Sequence, residues 1–301
     1  MDQNIIIIGN GLSSLVTSLA IAKLGINVDL YLDKENHKVT NLVTFVSHHS
    51  LDYLKKIDNQ SFNFEQYESI DEIECLYYDK KNNEESILEF ESKKDEYLGK
   101  IVPNNELHNL ILSKVLNVSN INIHNDIITE IENKHEYVIL KIDGKKEIKS
   151  DCVILADGKN SVIKKALSKN MITNKFNQTA LSIQINVSKT NQKKAYQYFT
   201  KDGPLALLPL SKNISSIIWS LNKTSNILNL SKNDLKNKIE NITKDECDII
   251  SIQSIEPFDL SFQYAKKLLY FNCLLVGDIA HTLHPIAGQG LNLSIKDIVE
   301  L

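Results

Sequence analysis

Three clusters of glycine, asparagine and acid could hold a charged or polyol ligand on backbone amides. The first, Gly9-Asn10-Gly11-Leu12-Ser13-Ser14, fits G-x-G-x-x-G except at its last position. Gly9 permits a tight turn, Gly11 lets backbone approach a pyrophosphate, and Ser14 is small enough for close helix–strand packing. A helix starting there adds unpaired N–H groups and partial positive charge. The acid that should bind ribose hydroxyls is expected where Leu32 stands. The nearest carboxylate, Asp33, comes one residue later, and strand alternation turns it to the other face unless the strand has ended.

The second cluster, Ala156-Asp157-Gly158-Lys159-Asn160-Ser161-Val162-Ile163-Lys164, follows an apolar run and opens a short helix to about Leu167. By itself Asp157-Gly158 reads as a turn. The third spans 276–297, V-G-D-I-A-H-T-L-H-P-I-A-G-Q-G-L-N-L-S-I-K-D. After Gly277, Asp278 is an acceptor suited to a polyol hydroxyl. Pro285 restrains the loop, and Gly288 and Gly290 let amides face a ligand closely. Gln289, Gly290, Leu291 and Asn292 then open a helix whose N-terminus favours negative charge.

Elements must bring these clusters together. Ile5–Ile8 reads as a buried strand, residues 12–24 as a helix closed by Gly25, and 28–32 as a second strand, a βαβ start. Helices are expected at 47–57, 104–115, 231–242 and 289–301. Strands are expected at 73–79, 87–91, 152–156, 180–187, 195–200, 205–210, 214–220, 249–255, 258–264 and 274–276. Residues 121–148 alternate around Asp143-Gly144, a hairpin signal. The fold expected is α/β. A Rossmann-like nucleotide-binding domain is assembled from 1–70, 93–177 and 267–301. A mainly antiparallel sheet domain from 71–92 and 178–266 is inserted into it.

Composition narrows the partners. A net charge of −4 with scattered lysines argues against nucleic acid. The chain has no arginine, so no site can use a guanidinium fork. Cys75, Cys152, Cys247 and Cys273 are far apart and read as buried thiols without disulfide or zinc. His48-His49, and His281 with His284, are not expected to bind metal. Trp219 reads as sheet core, and Asp71, Glu72 and Glu74 as a solvated face. The N-terminus reads as a strand rather than a signal peptide, and no stretch reaches the ~20 apolar residues of a membrane span.

The three clusters, in this order and at these separations, resemble the FAD-dependent aromatic hydroxylases of the para-hydroxybenzoate hydroxylase type. G-P-L-A-L-L-P-L at 203–210, I-I-W-S at 217–220 and A-H-T-L-H-P-I-A-G-Q-G-L-N-L at 280–293 are similar to the ubiquinone-biosynthesis branch. The resemblance implies that Gly9, Gly11 and Ser14 cradle the FAD pyrophosphate, with Asp33 at the ribose. Asp157 and Gly158 touch FAD and NAD(P)H. Gly277 and Asp278 serve the ribitol. Pro285, Gly288, Gln289, Gly290, Leu291 and Asn292 line the isoalloxazine, with Asn105 at the flavin's side. No protein side chain is implied as a covalent catalyst.

The same resemblance implies an NADH- or NADPH-dependent monooxygenase that transfers oxygen from O2 to a phenol, most concretely a polyprenylated one. The protein would be cytoplasmic, or peripheral on the inner face of the cytoplasmic membrane or in a biosynthetic complex. Asn105 and Lys164 stand where the family often has arginine. Members also continue as a helical tail, whereas this sequence stops at Leu301. Two alternatives remain open: another flavin monooxygenase, of epoxidase or halogenase-like type, or a non-catalytic flavin-binding accessory protein.

Overall fold

The computed structural model describes residues 4–32, 40–58, 62–78, 84–94, 96–144, 146–158, 163, 166–282 and 289–301. Four consecutive isoleucines leave a strand with no polar face, so Ile5–Ile8 must be covered on both sides. It lies inside a six-stranded sheet. The order is Leu269–Tyr270, Cys273–Leu275, Val153–Leu155, Ile5–Ile8, Val28–Tyr31 and Ile121–His124. All but the edge strand Leu269–Tyr270 run parallel. Alternate residues enter different cores. Ile7 packs with Leu15, Leu107, Ile111, Leu291 and Ile295 from the helices Leu12–Lys23, Asn104–Val115 and Gly290–Glu300. Ile6 and Ile8 pack with Val138, Leu140 and Val153. There a three-stranded antiparallel sheet, Ile128–Asn133, Val138–Ile142 and Lys146–Ser150, covers the second face. Its hairpin turns at Asp143 and Gly144, with φ of 47° and 69°, the two positive values that a tight primed turn needs.

An eight-stranded sheet forms the rest. Its order is His281–Thr282, Cys247–Ala265, Met171–Thr190, Ile214–Asn222, Gly203–Ser211, Lys194–Thr200, Glu72–Tyr78 and Glu84–Glu91. One face packs under the helix Lys232–Thr243 through Trp219, Tyr198, Ile183, Ile217, Leu235 and Ile239. Trp219 is fully buried there, as sheet core. The strands expected separately at 249–255 and 258–264 are one, Cys247–Ala265. Register shifts against Met171–Thr190 let it bend without breaking. Pro257 sits where its outer side is an edge, so the missing N–H leaves no gap in the ladder. Met171–Thr190 begins well before the expected 180.

A three-stranded sheet of Val43–Ser47, Gly99–Pro103 and Ser69–Ile70 was not expected from sequence. Its strands are short, and their partners lie tens of residues away. Phe45, Ile101 and Ile70 pack against Ala195, Ala206 and Leu208 on the second face of the large sheet. The helix expected up to Leu167 lies mostly outside the described residues, as does Lys164. All four cysteines are free thiols. Cys247 and Cys273 are buried, but Cys75 is half-buried and Cys152 exposed, which corrects the expectation of four buried thiols. The strand Val153–Leu155 starts one residue after Cys152, leaving that thiol at the solvated strand entrance. Asp71, Glu72 and Glu74 are not a bare solvated face. Asp71 pairs with Lys193 at 3.0 Å, and Glu72 and Glu74 pair with Lys194 at 3.1 and 3.0 Å. Among the described residues no helix is long and apolar enough to cross a membrane, and no group of three or more His, Cys, Asp and Glu converges on a metal position.

Candidate functional site

At the carboxyl ends of adjacent parallel strands, the chain leaves Ile5–Ile8 toward one side and Val153–Leu155 toward the other. Such a switch in direction is where open α/β sheets leave a crevice for ligands. Gly9 has φ of +144°, and a Cβ there would stand 2.4 Å from the Ala156 carbonyl oxygen and 2.9 Å from the Asp157 amide nitrogen. The first and second clusters are therefore in direct backbone contact. Gly11 caps the helix Leu12–Lys23 with no side-chain hydrogen bond, and no acid lies in the first turn. No described atom lies within 4 Å of where a Cβ would stand on Gly11 or on Gly158. Ser14 is fully buried and its hydroxyl donates to the Gly11 carbonyl at 2.8 Å, so it serves the turn.

The third cluster meets the first through Gly277. Its φ is +73°, and a Cβ would lie 2.4 Å from Ser13 Oγ and 2.8 Å from Ser294 Oγ. Ser13 belongs to the first helix and Ser294 to the last, so two helices and one turn close on a single glycine. Asp278 follows in the turn Gly277–Ile279, exposed, with its Oδ1 3.5 Å from where a Gly290 Cβ would stand. The helix Gly290–Glu300 has no side-chain cap and no acid in its first turn. The contrast with other helices is informative. Ser47 and Ser231 cap His48–Ile57 and Lys232–Thr243 with their hydroxyls, and Asn104–Val115 carries Glu106 in its first turn. The two helices that begin at the glycine clusters keep N-terminal N–H groups that no capping side chain takes.

The remaining expected site residues divide. Leu291 is buried in the core with Ile7 and Leu15, so it anchors the last helix. Asn292 accepts from the Ser47 amide at 2.9 Å and donates to the Phe45 carbonyl at 2.7 Å, tying that helix to the unexpected small sheet. Gln289 Oε1 accepts from Asn292 at 3.2 Å. Asn105 bonds the backbone of Thr40, accepting from its amide at 3.3 Å and donating to its carbonyl. Asp33, Pro285 and Gly288 lie outside the described residues, as does His284.

Three residues that sequence reading missed hold the turns. His108, buried on Asn104–Val115, donates from Nε2 to the Asn10 carbonyl at 2.9 Å. Asp297, two turns into the last helix, accepts from the Gly277 amide at 3.0 Å and from His281 Nε2 at 2.6 Å. That hydrogen bond holds the His281 pKa above its ordinary 6.5, against the opposing effect of burial. Gln263, almost wholly buried on Cys247–Ala265, donates to the carbonyls of Ile279 at 2.6 Å and Asp278 at 3.3 Å. The spacing of Asp297 from Gly277 was in view, but a carboxylate twenty residues away signals nothing until a helix folds it back.

Open space over Gly11 and Gly158, two helix N-termini without capping side chains, and a carboxylate beside the second form an extended cradle. It fits a dinucleotide with phosphates at one end and a ring system at the other. A family model described as FAD binding domain matches residues 2–301. The chain is 28% identical over 257 residues to the ubiquinone biosynthesis monooxygenase COQ6, mitochondrial, of Caenorhabditis elegans, covering 71% of this chain and 57% of that protein. It is 30% identical over 161 residues to the 3-demethoxyubiquinol 3-hydroxylase of Escherichia coli (strain K12), covering 53% of this chain and 41% of that protein. It thus spans about half the length of these curated relatives. The fold matches that of p-nitrophenol 4-monooxygenase PnpA from Pseudomonas putida DLL-E4, with a TM-score of 0.75 and 13% identity over 99% of this chain and 78% of that one.

Proposed function

The chain belongs to the FAD binding domain family, and on that premise we propose that it is the flavin-holding part of a monooxygenase that hydroxylates an aromatic ring. The reductant is NADH or NADPH and the oxidant O2. The substrate class is a polyprenylated phenol, as the names of the relatives in ubiquinone biosynthesis suggest. One observation carries the reading. Three glycine clusters, each more than a hundred residues from the next, meet at the carboxyl ends of neighbouring parallel strands. Gly9 lies against Ala156–Asp157, and Gly277 between Ser13 and Ser294.

When bound, FAD supplies the redox chemistry between NAD(P)H and O2. The chain's own residues bind and orient. The N-terminus of Leu12–Lys23 neutralises diphosphate charge on amides that Gly11 leaves uncovered. Asp278 accepts from a polyol hydroxyl. The N-terminus of Gly290–Glu300 stabilises negative charge on the ring. Phe45, Ile101, Ala206 and Leu208 form the buried core behind the small sheet that Asn292 grips, and so hold the start of that helix in place. An apolar substrate of this class would be collected at a membrane surface, where we place the protein as a peripheral visitor.

The test is reconstitution. The 301-residue chain should take up FAD to one equivalent, turn yellow, and oxidise NADH or NADPH faster when a prenylated phenol is added. Gly290→Glu should abolish flavin retention, because a second carboxylate arrives beside Asp278 at the helix end. A folded protein that stays colourless with added FAD, or a Gly290→Glu variant that keeps a full equivalent, would overturn the reading.

A further inference from the structure

Asp278 is the only carboxylate of the third cluster that faces out of the fold at the turn, and its own backbone is held from two sides. Asp297 reaches in from the last helix to the Gly277 amide at 3.0 Å and to His281 at 2.6 Å, so it brackets Asp278 from the residue before it to the third after it. Gln263 reaches in from the long strand of the large sheet to the carbonyls of Asp278 and Ile279. Thr282 adds a hydroxyl bond to the Asp278 carbonyl at 2.7 Å. The side chains of Asp297 and His281 are only 16% and 14% exposed, and Gln263 is 1% exposed. Gln263 is buried and Asp297 is mostly covered, and the hydrogen bonds both make go to this one turn and to His281 just after it. A glycine at φ +73° would otherwise leave the turn free to swing.

We infer that Asp297 and Gln263 are a pair of positioning residues that aim the Asp278 carboxylate at a polyol hydroxyl of the bound cofactor. The inference rests on the FAD reading above. Neither residue touches the ligand. Each fixes one side of the Gly277–Ile279 turn, so that the ligand meets a carboxylate already in place and the cost of ordering the turn falls on folding rather than on binding. Because Gln263 belongs to the large sheet and Asp297 to the last helix of the parallel-sheet layer, the pair also couples ligand retention to the docking of the two layers.

A double-mutant cycle on FAD affinity tests this, read by flavin fluorescence and by amide exchange at residues 277–281. Asp297→Ala and Gln263→Leu should each weaken FAD by at least about tenfold and speed exchange at the Gly277 amide. Asp297→Asn, which can still accept from that amide, should recover most of the affinity. In an Asp278→Ala background, Asp297→Ala should add less than about threefold. If Asp297→Ala weakens FAD equally with and without Asp278, the pair acts on general stability and the inference fails. If it leaves affinity and Gly277 exchange unchanged, the inference also fails while the FAD reading stands. If the unmodified chain binds no FAD at all, both fail together, and the exchange data separate that result from loss of the tether. Should Asp297→Ala not fold, Gln263→Leu carries the same cycle.

Discussion

The two glycine turns that lie side by side at the carboxyl ends of the parallel strands are held by different physics. At the first, Gly9–Gly11, geometry is enforced chiefly by backbone pressed against backbone, with Gly9 on the Ala156 carbonyl, and a single distant side chain, His108, bonds the Asn10 carbonyl. At the second, Gly277–Ile279, geometry is enforced by side chains brought from elsewhere, Asp297 on the Gly277 amide and Gln263 on the Asp278 and Ile279 carbonyls, while Asn292 ties the start of the last helix to the small sheet. The first turn is built into a strand–turn–helix unit of consecutive residues. The second cannot exist until the large sheet, the small sheet and the last helix have docked. The first arrangement leaves no room for an added atom at Gly9. The second arrangement can be tuned one hydrogen bond at a time.

The sharpest way to break that contrast is to add a methyl group at each turn. Gly9→Ala should cost about 3 kcal/mol or more in urea unfolding, since it combines a positive φ with a forced overlap on backbone atoms that cannot move. Gly277→Ala has a positive φ too, at +73°, and of the atoms its Cβ would meet the Ser13 and Ser294 hydroxyls can turn aside while only the Ser13 Cβ, at 2.8 Å, forces the first helix to shift, so about 2 kcal/mol is expected. Equal costs would show that the second turn is as rigidly enclosed as the first.

Asn292→Ala removes an acceptor from the Ser47 amide and a donor from the Phe45 carbonyl, both partly buried. Stability should fall by about 1–3 kcal/mol, with amide exchange rising at Ser47 but not at Gly9. Gly11→Ala sharpens the comparison from the other side. The space over Gly11 is open and its φ of −93° suits any residue, so stability should change by under about 1 kcal/mol while FAD affinity drops. A stability loss as large as that of Gly9→Ala would contradict the open cradle.

The smallest effect is the pH dependence of the side-chain tether. His281 titrates above 6.5 in the folded chain because Asp297 favours its charged form. Its contribution is therefore complete below the unfolded pKa and is lost as pH rises through the folded one. Unfolding free energy should decline by under about 1 kcal/mol across that interval, and the slope should flatten in Asp297→Asn. A slope of the opposite sign would mean that burial, not Asp297, governs this histidine.

Much of the fold was legible because it is written locally. The helix Asn104–Val115 announced itself by apolar spacing and the Asp143-Gly144 hairpin by its turn pair. The four isoleucines at 5–8, with the glycines after them, announced a buried strand running through a tight turn into a helix. The strands Val43–Ser47 and Gly99–Pro103 did not, although each is rich in β-branched or apolar residues. They are five residues long, buried along much of their length, and paired across more than fifty positions, so neither alternation nor a nearby turn marks them. The same holds within the site. Asn292 looked like a ring contact by its place in the motif, but its amide reaches the small sheet that sequence reading did not contain.

Taken alone, the sequence determined that glycine and acid clusters would occupy strand-to-helix turns of an α/β chain, because residue type and neighbours within one or two turns suffice for that. Only the tertiary structure decided which side chains would grip those turns. His108, Gln263, Asp297 and Asn292 gain their roles from contacts between segments of 16 to 247 residues' separation. The physical reason is that a hydrogen bond to a backbone amide needs only position, and position over such distances is set by the packing of whole layers.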